Sequence, residues 1–214
     1  MAFLGVACAA LVVTVSPVAA QHIPSQSSSS KPHTHLTASL DPGEVHEGVY
    51  RNPTFGFTYK LPFGWVERTE QMSQDSSSAP KSLLLLSAFE RPPEAVGDTV
   101  NSAVLIAAES VASYPGLKAA ADYLGPLTEV ATGKGFKVAN EPYEVELGAK
   151  RLIRSDFTKE LGQLTMYQAS LVALAKGYVV SFTFLGSSED EVEQLIEGLQ
   201  FGSSPKVHAT KPTH

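Results

Sequence analysis

The sequence predicts an α+β layered domain with a mainly antiparallel β-sheet, and three observations carry that expectation. Phe55, Phe57 and Tyr59 alternate with Gly56, Thr58 and Lys60, the period of two of a half-buried strand. From Phe136 onward, alternating segments are strung between glycine-containing turns, as in a meander of antiparallel strands. A capped amphipathic helix then closes the chain after Ser188. Strands with a helix between them and a helix last make layers of helix on sheet.

The chain is expected to open with an export signal. Ala2 to Ala20 carry no charge, Pro17 breaks the run, and Val18-Ala19-Ala20 present small residues for cleavage near Ala20. Only the amino terminus supplies the positive charge expected ahead of such a run. An uncleaved anchor is the alternative, since about 20 apolar residues span a bilayer. A lipid-modified Cys8 is a third reading, although Gly5-Val6-Ala7 matches the lipidation motif poorly. The expected location is therefore secreted or periplasmic, with membrane contact only through residues 1–20 if they stay attached.

Residues 21–48 are rich in Ser, Pro and Gly and nearly free of large apolar side chains. They bury too little surface to offset the entropy of ordering, so they read as a disordered tether. Residues 203–214 read as a disordered tail for the same reason. The folded domain is expected over 49–202. Its core must supply its own stability, because the single cysteine, Cys8, permits no intrachain disulfide. A domain of this size buries about 70% of its unfolded surface without a staple.

Within the domain, Pro53 and Pro62 bracket the aromatic strand, and Phe63-Gly64-Trp65 turns the chain beside it. These rings are read as the start of the core, with an exposed aromatic binding platform as the alternative. Lys81–Glu90 and Asn101–Ala112 are continuous apolar runs between loop-like flanks, as expected of strands covered on both faces. A helix is expected from Pro115 to Gly133, with a break near Leu124 imposed by Gly125-Pro126. Hairpins are expected at Gly148 (first of a two-residue turn, setting Glu146 opposite Arg151), at Leu161-Gly162 and at Lys176-Gly177. In the last strand Tyr178, Val180, Phe182 and Phe184 share a face, and Val179 and Leu185 are apolar on the other. Ser188-Glu189-Asp190-Glu191 fits a capping box, and Val192, Leu195, Ile196 and Leu199 form one core stripe.

The run from Tyr50 to Trp65, YRNPTFGFTYKLPFGW, resembles the opening of PsbP-like domains: a short strand, an Asn-containing turn, a Phe-Gly-Phe strand and then Pro-x-Gly-Trp. The long hairpin run and the closing Glu189–Phe201 segment are similar in order to the end of that family. The resemblance spans about Gly48 to Gly202. It implies an α/β/α sandwich with a mainly antiparallel β-sheet flanked by helices, and it implies no activity, since members of the family differ in role.

The chemistry is bounded by what the domain lacks. All six histidines, His22, His33, His35, His46, His208 and His214, lie outside 49–202, as does Cys8. A Ser-His-Asp triad would need a tail to fold back, a cysteine nucleophile is excluded, and so is a core zinc site of nitrogen or sulfur ligands. Thr132–Phe136, TGKGF, lacks the upstream glycine and the following hydroxyl of a phosphate loop. Carboxylate pairs among Glu141, Glu144, Glu146, Asp156 and Glu160 remain conceivable as acid–base sites, with salt-bridged strand faces as the bland reading. Lys150, Arg151 and Arg154, beside Lys134 and Lys137, either meet an acidic partner or balance those glutamates. His33 and His35 are weak candidate metal ligands on the tether. The formal charge of −6 argues against nucleic acid. The expected function is a non-enzymatic exported domain, without a cofactor, that binds or supports a protein partner at the cell envelope. A small-ligand or metal-binding carrier is the alternative.

Overall fold

The computed structural model describes residues 40–75 and 82–202 of the 214-residue chain. The expected signal at 1–20, most of the expected tether with His33 and His35, and the expected tail at 203–214 lie outside the described residues. Among the described residues, eleven strands pair antiparallel into two sheets. A four-stranded sheet is built from β1 (Glu44–His46), β2 (Val49–Asn52), β3 (Phe57–Lys60) and β11 (Leu199–Phe201), in that spatial order. The seven-stranded sheet holds β4 (Val66–Glu67), β5 (Ser82–Phe89), β6 (Ala103–Ser110), β10 (Tyr178–Gly186), β9 (Leu164–Ala175), β8 (Lys150–Leu161) and β7 (Lys137–Leu147), in spatial order. Three α-helices accompany them among the described residues: α1 (Thr69–Asp75), α2 (Ala120–Gly133) and α3 (Glu189–Glu197). None of the helices among the described residues is long and apolar enough to cross a membrane.

The layering follows from the period of two. On β10, Val180, Phe182 and Phe184 enter the main core with Val104 and Ile106 of β6 and Leu171 of β9. The small sheet and α3 cover that face with Tyr50, Phe57, Tyr59, Val192, Leu195 and Ile196. Phe57 meets Phe182 edge-on, with ring centroids 5.0 Å apart. The opposite face carries Val172 and Val179, which α2 covers with Tyr123 and Leu124. The large sheet is thus covered on both faces, as the uninterrupted apolar runs of β5 and β6 require.

Three boundaries differ from the sequence expectation, each for a physical reason. The folded part takes in residues 40–48 of the expected tether, because Tyr50 Oη and Asn52 Nδ2 both donate to the Pro42 carbonyl, at 2.5 and 3.2 Å. β1 is then turned onto β2 through Glu47 and Gly48, both at positive φ. The helix begins at Ala120 rather than Pro115, since Asp122 reaches back to accept from the backbone N–H of Lys118 and Ala119, both at 2.8 Å. It runs unbroken through Pro126, where only one backbone hydrogen bond is forgone while Tyr123, Leu124 and Ala131 pin the helix to the sheet. It ends at Gly133 as expected, and Gly135 (φ +86) follows the Lys134 cap, with Phe136 N bonding Ala131 O and Gly135 N bonding Thr132 O, a Schellman motif. The middle hairpin pairs Leu161 with Leu164, so its turn is Gly162-Gln163, one residue later than expected.

Phe55 lies in the turn before β3 and Leu199 in β11 instead of on α3, whereas the outer hairpins and the last cap match. Glu146 lies opposite Arg151, and Lys176-Gly177 joins β9 to β10 with both residues at positive φ, as a type I′ turn demands. Ser188 Oγ caps α3 by accepting from Glu191 N at 3.1 Å. The reciprocal half of the box is displaced: the Glu191 carboxylate takes Ser187 N and Oγ and Ser102 Oγ instead.

Candidate functional site

β7 is the terminal strand of the large sheet, 11 residues long and exposed along nearly all of its length. Its two halves differ. Register shifts fall between Val138 and Asn140 and between Asn140 and Tyr143, and Pro142 sits just inside the second. Bulges and proline on an edge discourage a foreign strand from pairing there. From Tyr143 to Leu147 the pairing with β8 is regular. Gly148 (φ +60) and Ala149 close the hairpin, so Leu147 and Lys150 exchange hydrogen bonds across the turn. Alternation then directs the N–H and C=O of Glu146 and Glu144 away from β8, towards the open edge. Val145 and Leu147 pack against the main core, which holds this half in place.

Five of the charged residues flagged in the sequence, Glu144, Glu146, Arg151, Arg154 and Asp156, are brought together here as ion pairs. Arg151 bridges Glu144 and Glu146 at 3.4 and 3.1 Å on an exposed surface. Arg154 is largely buried: Nε donates to Asp156 Oδ1 at 2.8 Å and Nη2 donates to Glu193 of α3. Burial alone would lower the Arg154 pKa, but its hydrogen bonds to Glu193 and Asp156 outweigh it and raise it. Asp156 Oδ2 also accepts from Tyr143 Oη at 2.8 Å and from Asn140 Nδ2 at 3.2 Å. Burial and then the Asp156 hydrogen bond push the Tyr143 phenol up to about 12, against the Arg154 charge. Glu160 accepts from Thr165 Oγ1 at 3.1 Å. Glu144, Glu146 and Asp156 are therefore neutralised by neighbouring arginines instead of paired with each other as an acid–base couple.

One buried acid escaped the sequence reading. Glu109 sits on β6 in an otherwise apolar run, 5% exposed. It accepts from Tyr123 Oη of α2 at 2.7 Å and from Tyr114 Oη, whose rings meet edge-on at 5.2 Å. Burial, then the neighbouring Glu109, raises both phenol pKa values. The signal was a lone charge inside a strand that must be covered on both faces. The histidine candidates are not gathered: His46 is exposed on β1, 3.9 Å from Glu47, and His33 and His35 fall outside the described residues. Among the described residues no group of three or more His, Cys, Asp or Glu side chains is placed to hold a metal.

Two shallow cavities mark the surface. One, of about 480 Å³, is lined by Leu40, Leu83, Ala108 and Tyr178 with the hydroxyls of Ser82 and Ser110. The other, of about 550 Å³, lies over the small sheet beside Asp41, Glu44 and Arg51.

No protein-family profile and no curated protein matches this chain. Among solved structures it is similar to a crystal structure from Bacteroides thetaiotaomicron VPI-5482, with 14% identity and a TM-score of 0.40 over 73% of this chain and 48% of that one. The chain thus spans about half the length of that protein. It is similar to LpqN, involved in cell envelope biogenesis of Mycobacterium tuberculosis, with 14% identity and a TM-score of 0.38 over 76% and 87% of the two chains. It is also similar to the solution structure of cyanobacterial PsbP (CyanoP) from Synechocystis sp. PCC 6803, with 13% identity and a TM-score of 0.47 over 72% and 91%.

Proposed function

We propose that this chain is an exported, non-enzymatic domain that holds a protein partner at the cell envelope, and that the partner adds an extended segment to the regular half of β7. One observation carries the reading. Residues 143–147 are a core-supported edge with the backbone groups of Glu144 and Glu146 turned outward. Strand addition takes its affinity from such main-chain groups and its selectivity from alternate side chains. The absence of histidine and cysteine from 49–202 and the internal pairing of the candidate carboxylates support a non-enzymatic role.

The experiment is recovery of a stoichiometric partner from an envelope fraction, with wild type beside Glu144→Pro. Proline there removes an outward N–H and leaves the β8 ladder intact. Loss of the partner from a variant with unchanged circular dichroism supports the reading. Equal recovery by both proteins would show that the edge is not the site, and no partner at all removes the binding role.

A small-ligand carrier is the second reading, favoured by the 480 Å³ cavity and its uncharged, partly hydroxylic walls. Native mass spectrometry of the purified chain tests it through a bound mass that disappears on denaturation. Elemental analysis, with the histidine-bearing tails deleted as control, tests the metal form of the same reading.

A further inference from the structure

β11 delivers the chain to the open edge of β7. A Cβ at Gly148 would stand 3.2 Å from the Phe201 carbonyl oxygen, so β11 ends against the turn that closes the regular half of β7. Residues 203–214, SSPKVHATKPTH, follow. The four residues from Phe201 to Pro205 reach about 13 Å. That is enough to bring Pro205 level with Leu147, the neighbour of Gly148. A segment continuing along the edge from there runs antiparallel to β7, towards Tyr143.

One register fits all four leading residues. With Pro205 opposite Leu147, Lys206 faces Glu146, Val207 faces Val145 and His208 faces Glu144. The backbone groups of Glu146 and Glu144 point to the open edge, so their pairs with Lys206 and His208 are the hydrogen-bonded ones. Leu147 is bonded to Lys150 instead, so the residue opposite it needs no N–H, and a proline can fill that place. Alternation puts Val207 on the face where Val145 and Leu147 are only partly buried against the core. It puts Lys206 and His208 on the face of Glu144 and Glu146, where Arg151 alone answers two carboxylates. Residues 203–214 carry Lys206 and Lys211 and no acid, in a chain of formal charge −6. A second copy of β7 on this edge would instead set glutamates against glutamates.

We propose that residues 205–208 dock on residues 144–147 of the same chain as an added strand. So short a tether gives the segment an effective concentration on the order of millimolar, and an incoming strand must displace it. That competition rests on the strand-addition reading above; the docking does not.

Amide hydrogen exchange of the full chain, resolved by NMR, tests the docking with no partner present. The amides of Glu144 and Glu146 should be protected in the wild type. His208→Pro removes the N–H that meets Glu144 and should speed both by about tenfold or more. Val207→Pro removes an N–H that points to solvent and should keep most of the protection. Wild-type amides of Glu144 and Glu146 that exchange as fast as unpaired ones overturn the proposal. Equal loss of protection in the two proline variants overturns it as well. Protection that grows with protein concentration also overturns it and assigns the edge to a second copy. None of these outcomes depends on recovery of a partner, so the docking and the partner reading can fail separately.

Discussion

Tyr123 of α2 donates its hydroxyl to the buried carboxylate of Glu109 at 2.7 Å, which fastens the helix to the central strands by one charge-assisted hydrogen bond. Such bonds contribute about 1.5–3 kcal/mol, more than neutral ones. Tyr123→Phe should therefore lower stability by roughly 2 kcal/mol in urea unfolding. The loss should shrink in a Glu109→Gln background, and a double-mutant cycle that returns no coupling would contradict this account.

Arg154 and Arg151 occupy neighbouring positions on β8 and should behave very differently. Both Arg154 and Asp156 have side chains only 13% exposed, whereas that of Arg151 is 72% exposed. Removing one partner of a buried pair strands the other charge, so Arg154→Ala should cost about 3 kcal/mol or more. Arg151→Ala should cost less than about 1 kcal/mol. Chemical denaturation of the two variants side by side decides it, and similar midpoints would refute the contrast.

Glu191 makes acid stability depend on Ser102 and Ser187. Burial would raise its pKa, but hydrogen bonds from Ser102 and Ser187 outweigh that and hold it below the ordinary 4.5. A carboxyl depressed in the folded state contributes stability that is complete above its unfolded value and is lost as pH falls through the folded one. Wild type should weaken progressively below about pH 4.5. Glu191→Gln should give a flatter profile there, measured by urea midpoints across the acid range.

Lys176 is held at φ +50 in the turn before β10. The left-handed region costs a residue with a long side chain roughly 1–2 kcal/mol, and Asn-Gly is the preferred pair for this turn. Lys176→Asn should thus stabilise the domain by about 0.5–1 kcal/mol, visible as a raised melting temperature. An unchanged or lower melting point would show that Lys176 does more than fill the turn.

The sequence was most legible where the determinants are local. The Gly148 and Lys176-Gly177 turns, the Glu146–Arg151 register and the Ser188 cap each depend on a few adjacent residues, and each is found as read. β1 and β11 were not legible, because three-residue strands acquire their shape from distant partners: Tyr50 and Asn52 for the first, Tyr59 and Phe57 for the second. The start of α2 was misread because Pro115 resembles a first turn, whereas Gly116 at φ +96 and the Asp122 cap move the start to Ala120. The charged site was half legible. Carboxylates and arginines could be counted on the same strands, but the neutralisation of Arg154 by Glu193 joins residues 39 apart in sequence. Glu109 finds Tyr114 through the turn that follows β6, and Tyr123 only through the packing of α2 on the large sheet.

β11 also has a bearing on how the molecule is made. It is the last strand among the described residues, yet it zips onto β3, placing Phe201 against Phe57 and Leu199 against Tyr59 near the start of the domain. A nascent chain cannot finish its aromatic centre until this segment has left the ribosome, so the centre closes late, once residues 199–201 are free to pair. Any premature stop upstream of Leu199 leaves Tyr59 and Phe57 with an open flank, which makes such a fragment prey for proteolysis rather than a smaller working protein.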